Sequence, residues 1–340
     1  MEANARDNTL LDVRALAVEF AAPRRGLRAS IGRAPRAGVR VVDGVSFHIA
    51  RGETLGLVGE SGSGKSMTAL ALAGLVPKPG RIAGGTVRFE GRELTSLREA
   101  EWRRIRGARI GFVFQEPSSA LNPVFTIGSQ IAEALEVHGR ASGSAARARA
   151  VELLDAVRIP SPAARAGDYP HQWSGGMKQR ALLAAAIACD PALLIADEPT
   201  TALDVRIQAE ILDLLAELRD RLGLSLLVVT HDFGVVERLA DRVAVMYAGR
   251  AVESGPAREV LAAPSHPYTR GLLASRPGAT PGRRLAAIPG SVPDPAALPR
   301  GCAFAPRCPE RIEACDERRP GATAIAPGRE VRCLLREGTA

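Results

Sequence analysis

Apolar and polar residues alternate over residues 10–20, where Leu11, Val13, Leu16, Val18 and Phe20 are the apolar positions, and again over Val39, Val41, Val45, Phe47 and Ile49. Alternation of this kind predicts antiparallel strands. From Thr54 the pattern changes to short apolar runs bounded by turn residues: TLGLV, then ALLIA at 192–196, LLVV at 226–229 and VAVMY at 243–247. Uninterrupted runs are what strands need when a parallel sheet is covered on both faces. Helical stretches separate them. The clearest, 205–222, sets Ile207, Ile211, Leu214, Leu215 and Leu218 on one stripe and ends at Gly223. Strands and helices in alternation predict an α/β fold. A mostly helical insert, about 125–185 by its periodicity, divides the core into two halves. After about residue 263 prolines become frequent and periodicity fades, so the tail is expected to take its order from docking or from a bound ion.

With 340 residues, 46% of them apolar, the chain can bury one large core with an appendage, which excludes wholesale disorder. The net charge of +8 leaves 37 acidic residues interleaved with the basic ones, the pattern of a solvated exterior. Basic residues concentrate at 21–38, in APRRGLRASIGRAPRAG, which reads as an inserted hairpin loop, with a basic arm for lipid or nucleic acid as the alternative. The longest apolar run, Ala181 to Cys189, falls well short of the roughly 20 residues that span a bilayer. The N-terminus lacks a basic stretch followed by an apolar one, so the expectation is a cytosolic chain with reduced thiols. Cys189 reads as a core thiol, whereas Cys302, Cys308, Cys315 and Cys333 crowd the tail as a possible site.

Gly59-Glu60-Ser61-Gly62-Ser63-Gly64-Lys65-Ser66 matches G-x-x-x-x-G-K-[ST] directly after the strand TLGLV and before the helical run MTALALAGL. Glycines let successive N–H groups point inward, and the helix that comes next adds its positive end, so the segment suits a polyphosphate. Lys65 would neutralise the β- and γ-phosphates and Ser66 would hold Mg²⁺. The run ALLIA ends in Asp197-Glu198, which sets two carboxylates at the C-terminal edge of the sheet, where open α/β folds bind ligands. Asp197 would contact Mg²⁺, and Glu198 would orient or deprotonate the attacking water. A helix start at Pro199-Thr200-Thr201 is the plainer reading of that pair.

Ser174-Gly175-Gly176-Met177-Lys178-Gln179-Arg180, after Trp173, resembles the signature motif of ABC proteins, with Trp173 in place of the usual Leu and Met177 in place of the usual Gln. A Ser and two glycines opening a helix form an anion site without any cation. The resemblance implies a P-loop (RecA-like) ABC ATPase core with an antiparallel β subdomain, a helical subdomain insert and a Cys-rich C-terminal extension. It further implies two ATP molecules held between two chains. Carried over position by position, Gln115 in GFVFQEP matches the residue that reaches Mg²⁺ and the water, Asp204 in TALD matches the loop that communicates across the dimer, and His231 in LLVVTHD matches the histidine that touches the γ-phosphate. Phe20 is the candidate adenine-stacking aromatic; an ordinary strand Phe is the other reading.

Within the ABC family, FVFQEPSSALNPVFTIGSQI, ACDPALLIADEPTTALDVRIQAEIL and HPYTRGLL resemble the ATPases of dipeptide/oligopeptide importers, a resemblance that runs over roughly 10–335. It implies a nucleotide-binding domain at 10–262, with its helical subdomain at about 116–184, and an oligopeptide-transporter-type extension at 263–340. It also implies two integral membrane permease subunits, a second related ATPase in a heterodimer, an extracytoplasmic solute-binding protein acting indirectly, a place on the cytoplasmic face of the membrane, and no nucleic acid. The spacing C-x5-C-x6-C followed by Cys333 fits neither a zinc finger nor the common ferredoxin patterns. Four thiolates in one loop repel unless a metal neutralises them, and by resemblance a [4Fe–4S] cluster is the first choice. Zn²⁺ is second, and free thiols or disulfides are third.

Overall fold

The computed structural model describes residues 8–21, 38–201, 203–276 and 287–338. The basic stretch read as a hairpin or an arm lies, over 22–37, outside the described residues. The chain opens with β1 (Thr9–Phe20) and β2 (Val39–Ala50), crosses through β3 (Thr54–Val58) and α1 (Lys65–Leu72), and returns as β4 (Gly80–Phe89) and the short β5 (Arg92–Glu93). β2, β1, β4 and β5 form an antiparallel sheet in that order. Val13 pairs with Phe47, Leu16 with Val45 and Val18 with Val42, all of them buried. The register shifts between Val13 and Leu16, where Ala15 takes φ 48°, and this bulge returns Leu16 to the apolar side after three residues instead of two.

The second sheet, to which β3 belongs, continues with β6 (Ile110–Val113), after which comes the helical insert. Its main helices, α2 (Ile127–Val137), α3 (Gly143–Ala156) and α4 (Gly175–Ile187), close on Ile131, Leu135, Leu153, Leu154, Trp173 and Leu183. The same apolar cluster includes Leu194 and Leu226 of the sheet, so the insert is packed onto the core. Then come β7 (Leu193–Asp197), α5 (Val205–Leu222), β8 (Ser225–Thr230), α6 (Phe233–Leu239), β9 (Arg242–Tyr247) and β10 (Arg250–Pro256). β6, β7, β8, β3 and β9 lie side by side in that order, and all four pairings are parallel. β3 and β7 are buried throughout, as continuous apolar runs require. On α5, Ile211, Leu214, Leu215 and Leu218 are buried while Ile207 is half-buried at the stripe's edge, and Gly223 ends the helix.

The tail is more regular than its prolines suggest. It holds α7 (Pro267–Ala274), β11 (Thr323–Ala326) and β12 (Arg329–Val331); β12 pairs antiparallel with β10 and so extends the main sheet. Glu253 on β10, with a fully buried side chain, accepts hydrogen bonds from the Ser265 and His266 amides at 2.8 and 2.9 Å and from Arg329 at 3.2 Å. Tyr247, Tyr268 and Phe304 meet in tilted and edge-to-face contacts with ring centroids 4.6–5.4 Å apart. Packing is therefore continuous across residue 263, and docking orders the tail. No described helix is long and apolar enough to cross a membrane.

His266 caps α7, its Nδ1 accepting from the Tyr268 amide at 3.0 Å. Burial, reinforced by the Arg270 charge, pushes its pKa from 6.5 down to about 3, so the folded chain keeps the ring neutral. Below pH 6.5 the unfolded chain takes up a proton that the folded one refuses, so stability falls as pH drops from there toward about 3. Urea unfolding at pH 7 and pH 5 should show that loss in the wild type and a smaller loss in His266→Asn, which keeps a capping acceptor. Equal losses in the two proteins would mean that His266 is not held neutral.

Candidate active site

The parallel order β6-β7-β8-β3 aligns the C-terminal ends of four strands, and at or just past each end lies a residue singled out in the sequence: Gln115, Asp197 with Glu198, His231, and the loop 59–66. The loop curls between β3 and α1. Gly64 sits at φ 99° with the Val41 carbonyl 2.6 Å from where a Cβ would stand, so only glycine fits there. A Cβ on Gly59 would overlap the Met246 carbonyl oxygen. The Ser63 Oγ is buried inside the loop without a hydrogen-bond partner. Lys65 turns inward as well, its Nζ donating to the carbonyls of Gly59 at 2.8 Å and Glu60 at 3.0 Å. Burial holds its ammonium below the usual lysine range, against the charges of Glu198, Asp197 and Glu60. A buried cation, an orphan hydroxyl and a glycine-lined concavity fit a polyphosphate.

Ser66 donates from Oγ to Asp197 Oδ1 at 3.0 Å, bringing the two expected Mg²⁺ contacts together. Burial pushes the Asp197 carboxyl up to about 6, with the Ser66 hydrogen bond pulling the other way. A divalent cation would offset the cost of that burial. The next residue, Glu198, has φ 47°, a strained setting for a side chain other than glycine or asparagine. Its carboxylate gathers three partners: Gln115 Nε2 at 2.9 Å, Thr201 Oγ1 at 2.8 Å and His231 Nδ1 at 3.4 Å. Gln115 and His231 are exposed, so the group opens to solvent on one side. Thr201 was not among the sequence candidates, although its position three residues after Glu198 in EPTT places it within reach.

Other candidates stand apart from this group. Ser174 caps α4, its Oγ accepting from the Met177 amide at 3.4 Å, and Asp204 caps α5, accepting from the Ile207 amide at 2.9 Å. Ser174, Gly175 and Asp204 are exposed and Gly176 is half-buried; none hydrogen-bonds to loop 59–66 among the described residues. Trp173, unusual before the signature, is buried with its Nε1 donating to Asp168 at 3.1 Å, a packing role. Phe20 ends β1 half-buried, its ring pressed on Gly80 at the edge of the apolar cluster under the small sheet.

All four tail cysteines are free thiols in one neighbourhood. The Cys302 amide donates to the Cys315 carbonyl at 2.8 Å. Burial raises the Cys302 and Cys333 thiols and lifts Cys308 to about 11, with the neighbouring cysteines adding to each rise. Yet among the described residues no three Cys, His, Asp or Glu side chains converge on a point where an ion could sit. The donor chemistry suits a soft metal, whereas the arrangement, set by packing of the tail, departs from the expected four-thiolate site. Cys189 is buried against the Ala134 carbonyl, as expected of a core thiol.

Residues 42–201 match the ABC transporter family, and 252–315 match the C-terminal region of oligopeptide/dipeptide transporters. The chain is 48% identical, over 98% of its length and 97% of the relative's, to the probable peptide ABC transporter ATP-binding protein y4tR of Sinorhizobium fredii. It is 47% identical to the dipeptide transport ATP-binding protein DppD of Escherichia coli, over 86% of this chain and 90% of that one. Among solved structures, the dimeric ATP-binding cassette MJ0796 in a post-hydrolysis state with ADP and Pi matches at TM-score 0.62 and 27% identity, covering 73% of this chain and 99% of its own. With the phosphate loop, the paired carboxylates and the extended sheet in place, the chain belongs to the ABC transporter ATP-binding proteins of the oligopeptide/dipeptide type, and is an ABC-type ATPase.

Proposed function

We propose that this ATPase powers uptake of di- or oligopeptides, or of a related small solute such as nickel or glutathione, through a membrane permease. The observation that carries the catalytic part is the convergence of Gln115, Thr201 and His231 on Glu198, beside the Asp197–Ser66 pair. The cargo class rests on the peptide and dipeptide relatives named above.

In this reading Lys65 and the loop amides of 59–66 bind the β- and γ-phosphates of the substrate ATP, and Phe20 is the candidate platform for its adenine. Ser66, Asp197 and Gln115 would hold Mg²⁺, which would supply charge neutralisation at the phosphates. Glu198 orients the attacking water and accepts its proton, while Thr201 and Gln115 fix the carboxylate's direction. His231 lies on the solvent side, where it can meet the γ-phosphate. Ser174, Gly175, Gly176 and Asp204 are presented outward at helix starts, as needed for contact with ATP held by a second chain. That second chain is proposed to be a related ABC ATPase, so that a heterodimer sits under two permease subunits at the cytoplasmic face of the membrane. Phe114, which precedes Gln115 in the chain, and Val124 and Phe125 at the start of the helical insert are 42–71% exposed and offer apolar side chains to the permease. An external solute-binding protein would choose the cargo.

The cysteine tail suits a [4Fe–4S] cluster by donor chemistry, with Zn²⁺ second, though binding either would require the four side chains to reorient. Anaerobic purification with iron, sulfide and zinc analysis decides this. Iron and sulfide lost in Cys315→Ser support the cluster, zinc supports the second choice, and neither metal leaves free thiols.

Glu198→Gln should lower ATP turnover about 10²- to 10⁴-fold, the span of general base catalysis, while MgATP binding is retained; near-normal turnover would end the base assignment. The same variant, tagged and trapped with MgATP in its host's membranes, should co-purify two integral permease subunits and a second ABC chain. Recovery of nucleic acid or ribosomal components without membrane protein would overturn the transport reading.

A further inference from the structure

The phosphate loop contains an acid. Glu60 lies inside the segment 59–66, and its negative charge bears on the Lys65 ammonium. A free carboxylate there would repel an incoming polyphosphate and compete with it for Lys65. The tail prevents this. Arg307 Nη1 donates to Glu60 Oε2 at 2.6 Å and Nη2 donates to Glu60 Oε1 at 2.9 Å, the two-pronged geometry that guanidinium and carboxylate favour. The Arg307 side chain is 5% exposed and that of Glu60 28%. Behind the pair, Arg307 Nε donates to the Pro289 carbonyl at 2.8 Å and the guanidinium lies 5.8 Å from the Tyr247 ring centroid. A second tail group reaches the same residue, for the Glu60 amide donates to Tyr268 Oη at 2.8 Å. Both the backbone and the side chain of one loop residue are thus gripped from the tail.

We propose that Arg307 is a positioning residue for ATP binding: it neutralises Glu60 and, with Tyr268, fixes the entrance of the phosphate loop in the shape that receives phosphate. A plain stabilising role explains less. A pair this well buried adds little net stability over an apolar pair, and Glu60's carboxylate makes no hydrogen bond except to Arg307 among the described residues. What the pair does provide is a link: if the tail shifts, an unpaired carboxylate is left on the phosphate loop, with its charge bearing on Lys65, and ATP binds more weakly.

The inference rests on the phosphate-loop reading, so Lys65→Ala is the control. If Lys65→Ala leaves MgATP binding intact, that reading fails; if it abolishes binding, the loop stands and the other variants judge Arg307 alone. Arg307→Gln should raise KM for MgATP on the order of tenfold, the effect of one uncompensated charge within a few side-chain lengths at an effective dielectric of about 20, with kcat changed much less. Glu60→Gln/Arg307→Gln should return KM toward the wild-type value, because the charge conflict is gone. A double variant as weak as Arg307→Gln would overturn the proposal and leave a structural role. Should Arg307→Gln not fold, Glu60→Gln decides: it leaves an unopposed cation near the phosphates and should lower KM, and a raised KM would refute the inference.

Discussion

Four parallel strands, β6, β7, β8 and β3, hold the site together, and their shared direction is the constraint that sets its geometry. Because the strands run the same way, their C-terminal ends meet along one edge, and the residues at or just past each end are delivered to the same place: Gln115, Asp197 with Glu198, His231, and the loop 59–66. The apolar runs that made the strands recognisable have a mechanical role here. β3 and β7 are buried along their whole length between the helices and the small antiparallel sheet, so the residues at their ends start from fixed points. A polar residue inside either run would disturb the site through the register of its neighbour.

That edge is electrostatically unsettled. Lys65 is held below its usual range by burial, and Asp197 is raised to about 6 by the same cause. Glu198 keeps a left-handed backbone at φ 47° while Gln115 and Thr201 donate to its carboxylate and His231 stands 3.4 Å from it. Strain and desolvation of this kind weigh against folding and are relieved by what binds. A polyphosphate with its cation would give Lys65 an anionic partner and Asp197 a positive one. The site is thus built for a complex, and the protein's fold carries the cost of keeping it ready.

The tail belongs to the same mechanical unit. Glu253 binds the chain at Ser265 and His266 and the guanidinium of Arg329, and β12 extends the main sheet beyond β10. The aromatic group of Tyr247, Tyr268 and Phe304 joins the end of β9 to the segment that carries Cys302 and Cys308. Through Arg307 and Tyr268 the tail ends on Glu60, inside the phosphate loop. Tail and nucleotide loop are therefore in direct contact.

Much of this was legible in the residues alone, because the signals were local. Period-two alternation marked β1 and β2, continuous apolar runs marked the parallel strands, and the spacing of glycines, Lys65 and Ser66 marked a loop whose chemistry depends on backbone shape. What escaped was long-range. Thr201 became a partner of Glu198 only when the strained turn brought its hydroxyl back, and β11 and β12, four and three residues long, are too short to announce themselves until β10 offers an edge. For the four cysteines the sequence records donors and spacing, whereas convergence on one point is a property of the packed chain, and among the described residues the packing brings them into one neighbourhood without forming such a point. Arg307 is one arginine among many in the sequence; its importance comes from the fold, which lays it against an acid 247 positions away. Sequence by itself determined the elements and the chemistry each could carry, since those depend on neighbours along the chain. Only the tertiary structure decided which charges meet, because that depends on strand order and on what the tail is packed against.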